Sequence, residues 1–262
     1  MNVLDFLQYK KINKKISMVT SYEAWSAKII EASPIDCILV GDSVAMVVHG
    51  FDSTLHATPE MIATHVAAVR RGAPKKFIVA DMPFPWFRKG IPEAMNCVDL
   101  FMKAGANCVK IEGVIGHEDV IQNIVQSGVP VMGHLGLTPQ SIHALGGFKV
   151  QGRSDEAARS IIEQAIKLED LGAFSVVLEC VPQMVSKTIT KSLEIPTIGI
   201  GAGIHVDGQV LVLQDLLGLN GEFHPKFLKK YLNGSEAVIK SLANYDTEVK
   251  GSLFPTEKES YV

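Results

Sequence analysis

The sequence has little of what marks a secreted, membrane-spanning or nucleic-acid-binding chain. It holds four cysteines in 262 residues, and Cys37, Cys97, Cys108 and Cys180 form no CxxC pair. Three of them lie in strand-like apolar runs, so buried free thiols in a reducing compartment are expected rather than disulfides or zinc. Positive charge is not in excess. Lysine and arginine total 25 against 28 acids, a net charge of −3, which gives no electrostatic case for nucleic acid or an anionic membrane. No apolar run approaches the roughly 18 residues of a membrane span. The opening stretch MNVLDFLQYKKINKKI lacks the apolar core of a signal peptide, and arginine, abundant in transit peptides, first appears at Arg70. A soluble cytoplasmic protein with no nucleic-acid or membrane partner is expected. Also missing is a GxGxxG after the first strand-like run, and no linker, repeat or low-complexity tract divides the chain.

What the sequence does contain is a regular alternation. Short β-branched runs near 17–20, 37–41, 77–82, 108–112, 129–134, 175–179, 196–200 and 209–214 are separated by helical patterns near 22–32, 59–71, 91–104, 117–126, 155–171, 182–192 and after 225. Thr58-Pro59-Glu60 and Thr138-Pro139-Gln140 read as helix starts, with a capping hydroxyl followed by proline at the first helical position. Gly72, Gly105, Gly128 and Gly172 read as stops. Strands alternating with helices imply parallel strands and crossover helices. Eight of them in about 250 residues imply a closed (β/α)8 TIM barrel rather than an open dinucleotide-binding sheet. Residues 1–262 are taken as one barrel domain with a short N-terminal extension and a C-terminal helix and tail. The segment Gly199-Ile200-Gly201-Ala202-Gly203 follows strand seven, where barrels often bind anions.

Four of the strand-like runs lead into an acid: ILVGDS into Asp42, FIVAD into Asp81, CVKIE into Glu112 and SVVLE into Glu179. C-terminal strand ends form the open mouth of such a barrel. With a side-chain period of two, Glu112 shares its face with Lys110, His134 with Met132, and Glu179 with Val177 and Ser175. One mouth would then gather Asp42, Asp81, Lys110, Glu112, His134 and Glu179. Any single strand-end acid is more often a helix cap or a surface ion-pair partner. A set of four against one lysine is not explained that way, because crowded carboxylates repel unless a cation joins them. Oxygen ligands without a His/Cys cluster favour Mg²⁺ over Zn²⁺. Apolar neighbours Val177, Leu178 and Val181 suggest a desolvated Glu179 suited to act as a general base. His134 is a candidate to orient substrate or shuttle a proton, with a hydrogen-bonded structural role as the plain alternative.

The segments LVGDSVAMVVHGFDSTL, HVAAVRRGAP, VADMPF, AGANCVKIEG, VPVMGHLGLTPQS, KVQGR, VLECVP and IPTIGIGAG, followed by DGQVLVLQDLLG, occur in order over nearly the whole chain. In them the sequence resembles the ketopantoate hydroxymethyltransferases. That resemblance implies a barrel of the phosphoenolpyruvate/pyruvate type, assembled as a homo-oligomer, usually a decamer. It implies transfer of a hydroxymethyl unit from 5,10-methylenetetrahydrofolate to 3-methyl-2-oxobutanoate, giving 2-dehydropantoate for pantothenate and coenzyme A synthesis. It also implies Mg²⁺ near Asp42, Asp81 and Glu112, oxoacid held by Asp42, Ser43, Asp81 and Lys110, and Glu179 as proton acceptor. The chain departs from the commoner family pattern in the loop MPFPWFRKGIPEAM, at Val44-Ala45, at His56 and at Glu259.

Three other readings are weighed against this one. A sister enzyme of the same barrel class could cleave or rearrange carbon–carbon or carbon–phosphorus bonds through a similar Mg²⁺ enolate, but the HGFDSTL, AVRRGAP and LECVP set favours the transferase. A sugar-phosphate isomerase using GIGAG as an anion site would need no Mg²⁺. A non-catalytic scaffold would leave the acids replaceable.

Overall fold

The computed structural model describes residues 1–221 and 224–261. Eight parallel strands, β1 (Ile16–Thr20), β2 (Cys37–Val40), β3 (Phe77–Asp81), β4 (Cys108–Glu112), β5 (Val131–Gly136), β6 (Ser175–Glu179), β7 (Thr197–Ile200) and β8 (Gly208–Leu211), close into a barrel in chain order. Closure is made by β1, which pairs with both β2 and β8. The period of two places alternate residues inside. Met18, Cys37, Leu39, Phe77, Val79, Cys108, Met132, Val177, Ile198 and Val210 form one buried interior cluster.

The helix Val3–Lys11 begins with a capping box, the Asn2 side chain accepting from the Asp5 amide and Asp5 from the Asn2 amide. Its single buried residue, Phe6, packs at 5.2 and 5.1 Å between ring centres on Phe77 and Phe174, at the strands' N-terminal end. Crossover helices follow the expected segments, including Pro59–Gly72, Ile91–Ala104, Glu118–Gln126, Asp155–Asp170 and Gln183–Ser192. Thr58 caps its helix by accepting from the Met61 amide, and Gly105 stops its helix in a left-handed turn. The last strand ends earlier than the expected 209–214, with a helix from Leu213, and the stretch around β5 differs from the sequence expectation in two details. Strand β5 runs two residues later than expected, because Pro130 has no N–H to give and contributes only a carbonyl, to Val109. Thr138-Pro139 starts not a crossover helix but a one-turn 3-10 segment, Pro139–Ser141.

The chain divides into two compact units, Met1–Leu211 and Val212–Val262. The first holds the whole barrel. The second contains the short helix Leu213–Leu216, the helix Gly234–Lys250 and the turn Glu257–Glu259. Within it the Asn220 amide donates to Asp215, and the Tyr231 and Gly234 amides donate to the carbonyls of Leu216 and Leu217. Helix Gly234–Lys250 buries only Gly234, while Val238, Ile239, Leu242, Tyr245 and Val249 are exposed. Among the described residues no helix is long and apolar enough to cross a membrane.

Candidate active site

The mouth gathers the residues the strand ends offered. Asp81, Glu112 and Glu179 are the last residues of β3, β4 and β6, and Asp42 lies just past β2. The register sets Asp81 beside Lys110 and Glu112 beside His134 on neighbouring strands. Asp42, Asp81, Lys110, Glu112 and His134 are all 1–5% exposed. Lys110 Nζ lies 2.7 Å from Asp81 Oδ1, and the other oxygen of Asp81 accepts from the Asp42 amide at 3.3 Å. His134 stands between two acids, with Nδ1 3.3 Å from Glu112 Oε1 and Nε2 3.3 Å from Glu179 Oε2. Ser43 is held by the buried Tyr22, whose phenol oxygen is 2.8 Å from Ser43 Oγ.

Glu179 differs from the others, but not as its apolar sequence neighbours suggested. Its side chain is 19% exposed, the least buried of the mouth acids, because Val177 fills the interior layer below while the carboxylate reaches the rim. Its backbone is fixed instead. The Glu179 carbonyl accepts from the Leu137 amide, the Cys180 amide donates to Ile200, and the Cys180 carbonyl accepts from Gln151. Cys180 adopts a left-handed φ of 49°, unusual outside glycine. On the neighbouring strand Gly136, at φ 93°, leaves room that a Cβ would lose by collision with the Glu179 carbonyl and Val181.

Desolvation falls on the deeper acids. Burial, reinforced by the charge of Glu112, pushes Asp42 up to about 6, with Lys110 and the Gln140 hydrogen bond opposing. Burial likewise pushes Asp81 up to about 7 against the pull of Lys110. Lys110 is raised above its ordinary value: burial acts against its charge, but Asp81, Glu112 and Asp42 outweigh it. For His134, burial and Lys110 act downward, and the contacts with Glu112 and Glu179 overcome them, raising it to about 9. Two of these findings conflict, because Lys110 Nζ also sits 3.2 Å from His134 Nδ1 in aligned hydrogen-bond geometry. Nδ1 cannot both accept from Lys110 and donate to Glu112. The Glu112 contact lacks that alignment, and a cation among the acids would remove the pull that charges the ring. We therefore take the neutral imidazole, accepting from Lys110, as the working form.

The donor set suits a hard divalent cation. Three buried carboxylates supply oxygen ligands against one lysine, and Glu112 Oε1 is buried with no hydrogen-bond donor. The acids are not gathered as a ready cage. Among the described residues no group of three or more His, Cys, Asp or Glu side chains stands as a preformed metal site, and Asp81 is engaged by Lys110. The sequence reading missed Gln140, which is buried and donates from its side-chain amide to Asp42 and from its backbone N–H to Glu112. The only available signal was Thr138-Pro139-Gln140, which reads as a helix start. Beside Glu112 a cavity of about 310 Å³ is lined by Arg88, Thr138, Ser141, Gln151, Ser160 and Gln164, among others.

Comparison with known proteins agrees with this architecture. The solved structure of phosphonopyruvate hydrolase in complex with oxalate and Mg²⁺ superposes with a TM-score of 0.64 at 10% identity, covering 99% of this chain and 93% of that one. 2,3-Dimethylmalate lyase, a PEP mutase/isocitrate lyase superfamily member, does so at 0.60 and 12%, covering 99% and 91%. These likenesses establish the fold. In sequence, the 3-methyl-2-oxobutanoate hydroxymethyltransferase of Bdellovibrio bacteriovorus is 56% identical over 259 residues, 99% of this chain and 98% of that one. The enzymes of that name from Coxiella burnetii and Francisella tularensis are 57% and 50% identical, over 97% and 99% of this chain and 96% and 98% of theirs. The family model for ketopantoate hydroxymethyltransferase matches residues 1–257. With that match and half or more of its residues shared across nearly full-length relatives, the chain belongs to the ketopantoate hydroxymethyltransferase family.

Proposed function

We propose that this chain transfers a hydroxymethyl group from 5,10-methylenetetrahydrofolate to 3-methyl-2-oxobutanoate, forming 2-dehydropantoate for pantothenate synthesis. The observation that carries the reading is the convergence of Asp42, Asp81, Lys110, Glu112 and Glu179 in one barrel mouth of a chain with these relatives. Asp42, Asp81 and Glu112 would hold Mg²⁺, which when bound polarises an α-oxoacid and stabilises the enolate formed from it. Lys110 binds the oxoacid and neutralises charge developing on its keto oxygen. The Ser43 hydroxyl, oriented by Tyr22, hydrogen-bonds the substrate carboxylate. Glu179, at the rim and fixed in its backbone, takes the proton from C3. His134 Nε2 stands 3.3 Å from the Glu179 carboxylate without an aligned hydrogen bond, near enough to donate to it when Glu179 turns. Water cleaves the two C–N bonds that hold the one-carbon unit, releasing tetrahydrofolate and leaving the carbon as formaldehyde. The carbanion equivalent attacks that carbon, and the former water oxygen takes a proton as the new hydroxyl. For the folate the cavity beside Glu112 offers hydroxyl and amide partners and the cation Arg88.

The apolar side chains exposed on helix Gly234–Lys250 support a homo-oligomer, a decamer by resemblance to the family. Four cysteines, none disulfide-bonded, support a cytoplasmic setting. The test is turnover of the two substrates with and without Mg²⁺. Product is expected with Mg²⁺, and its loss on chelation is expected to reverse when Mg²⁺ is restored. Absence of 2-dehydropantoate under all conditions would reject the reading.

A further inference from the structure

Gln140 enters the mouth from the one-turn segment after β5, and it is 3% exposed. Its Nε2 donates to Asp42 Oδ2 and to the Met82 carbonyl, both at 2.9 Å. Its backbone N–H donates to Glu112 Oε2 at 3.1 Å. One residue therefore ties the ends of β2, β3 and β4 together. The amide orientation follows from its partners, since the reverse would aim a carbonyl oxygen at a carboxylate and another carbonyl. Both N–H bonds of Nε2 are then used, and Oε1 is a buried acceptor with no protein donor.

The geometry points to Gln140 as a positioning residue that sets the spacing and orientation of the Asp42 and Glu112 carboxylates for the cation. Two buried acids of like charge, left alone, swing apart or seek other donors. The neutral side-chain amide holds Asp42 and the backbone N–H holds Glu112, and neither adds charge to a site already rich in acids. Glutamate at 140 would lose the side-chain donors to Asp42 and Met82 and add a further acid. Methionine would fill the same volume and keep the backbone N–H to Glu112, but lose the side-chain bonds to Asp42 and the Met82 carbonyl. The residue need not touch substrate to act, because partners that orient metal ligands typically alter affinity or activity by about 10–100-fold.

The inference rests on the Mg²⁺ reading above, and its test separates the two. Mn²⁺ binding is measured by electron paramagnetic resonance, without substrate, on the parent and on Gln140→Met. The expected result is a Kd about 10–100-fold higher in the variant at a similar melting temperature, with C3 proton exchange largely restored at saturating metal. A folded Gln140→Met binding Mn²⁺ within about twofold of the parent would overturn the assignment, since the loss that follows removal of a ligand-orienting partner is then absent. If that variant does not fold, Gln140→Asn keeps the amide and the Glu112 bond but is too short to span Asp42 and Met82, and parent-like affinity there would overturn it equally. If the parent itself binds no Mn²⁺, the metal reading fails. Crystal structures then decide the positioning role: an Asp42 side chain that moves in the variant supports it, and an unmoved one rejects it.

Discussion

At the N-terminal end of the barrel, Phe6, Phe77 and Phe174 meet edge-to-face or tilted around an apolar plug, while at the C-terminal end of the same strands Asp42, Asp81, Lys110, Glu112 and His134 are buried just as completely. The two regions close opposite ends of the same barrel, yet their energetics are reversed. Each aromatic group at the base gains about 1.5–3 kcal/mol from leaving water. Each buried charge at the mouth loses solvation that only neighbours or a ligand can return. The base stabilises the scaffold. The mouth draws on that stability to hold groups in a state that solvent would not allow, which is where perturbed protonation is found.

The comparison can be broken by substitutions at either end. The largest effect is expected from Glu179→Gln, which should lower the rate of C3 proton exchange of 3-methyl-2-oxobutanoate into deuterated water by roughly 10²–10⁴-fold, with fold and metal binding kept. Exchange at the parent rate would assign the base elsewhere, with His134 the next group to test. Phe6→Ala should do the reverse. It is expected to remove about 3–5 kcal/mol of stability, read from denaturant midpoints, while the folded fraction exchanges the proton at the parent rate. Loss of exchange in folded Phe6→Ala would show that the two ends are not separable. The smallest effect sharpens the contrast: Cys180→Gly should relieve the left-handed strain beside Glu179 and raise stability by about 1 kcal/mol or less, and a destabilised variant would show that the thiol's packing outweighs the strain.

The fold and most of the mouth were legible in the sequence for a physical reason. A parallel strand buried on both faces must be apolar, so the residue where that requirement lapses marks the rim. Asp81, Lys110, Glu112, His134 and Glu179 followed from that rule and a period of two. Gln140 did not, because periodicity carries no information about a one-turn segment, and Thr138-Pro139 has the same chemistry whether a 3-10 turn or a longer helix follows. The short helices Val44–Val47 and Ile142–Leu145 escaped for the same reason. The burial ranking of the acids was also hidden. It depends on how far past the interior layer each side chain reaches, which puts Glu179 at the rim and Asp81 beneath it.

The backbone around Glu179 carries a consequence for substrate range. Its carbonyl is bonded to Leu137 on one side, and the following amide to Ile200 on the other. Such doubly paired backbone opens only with the barrel itself, so these amides should be among the slowest in the mouth to exchange with solvent. A group mounted this way cannot retreat from a bulkier reactant. With Glu179 as the proposed base, the position of proton removal follows the strand that carries it, and a change in accepted oxoacid is expected from the segments around the mouth rather than from this backbone. On the proposed reading, selectivity for a small oxoacid is in this sense a property of the hydrogen-bond ladder, set before any side chain meets a ligand.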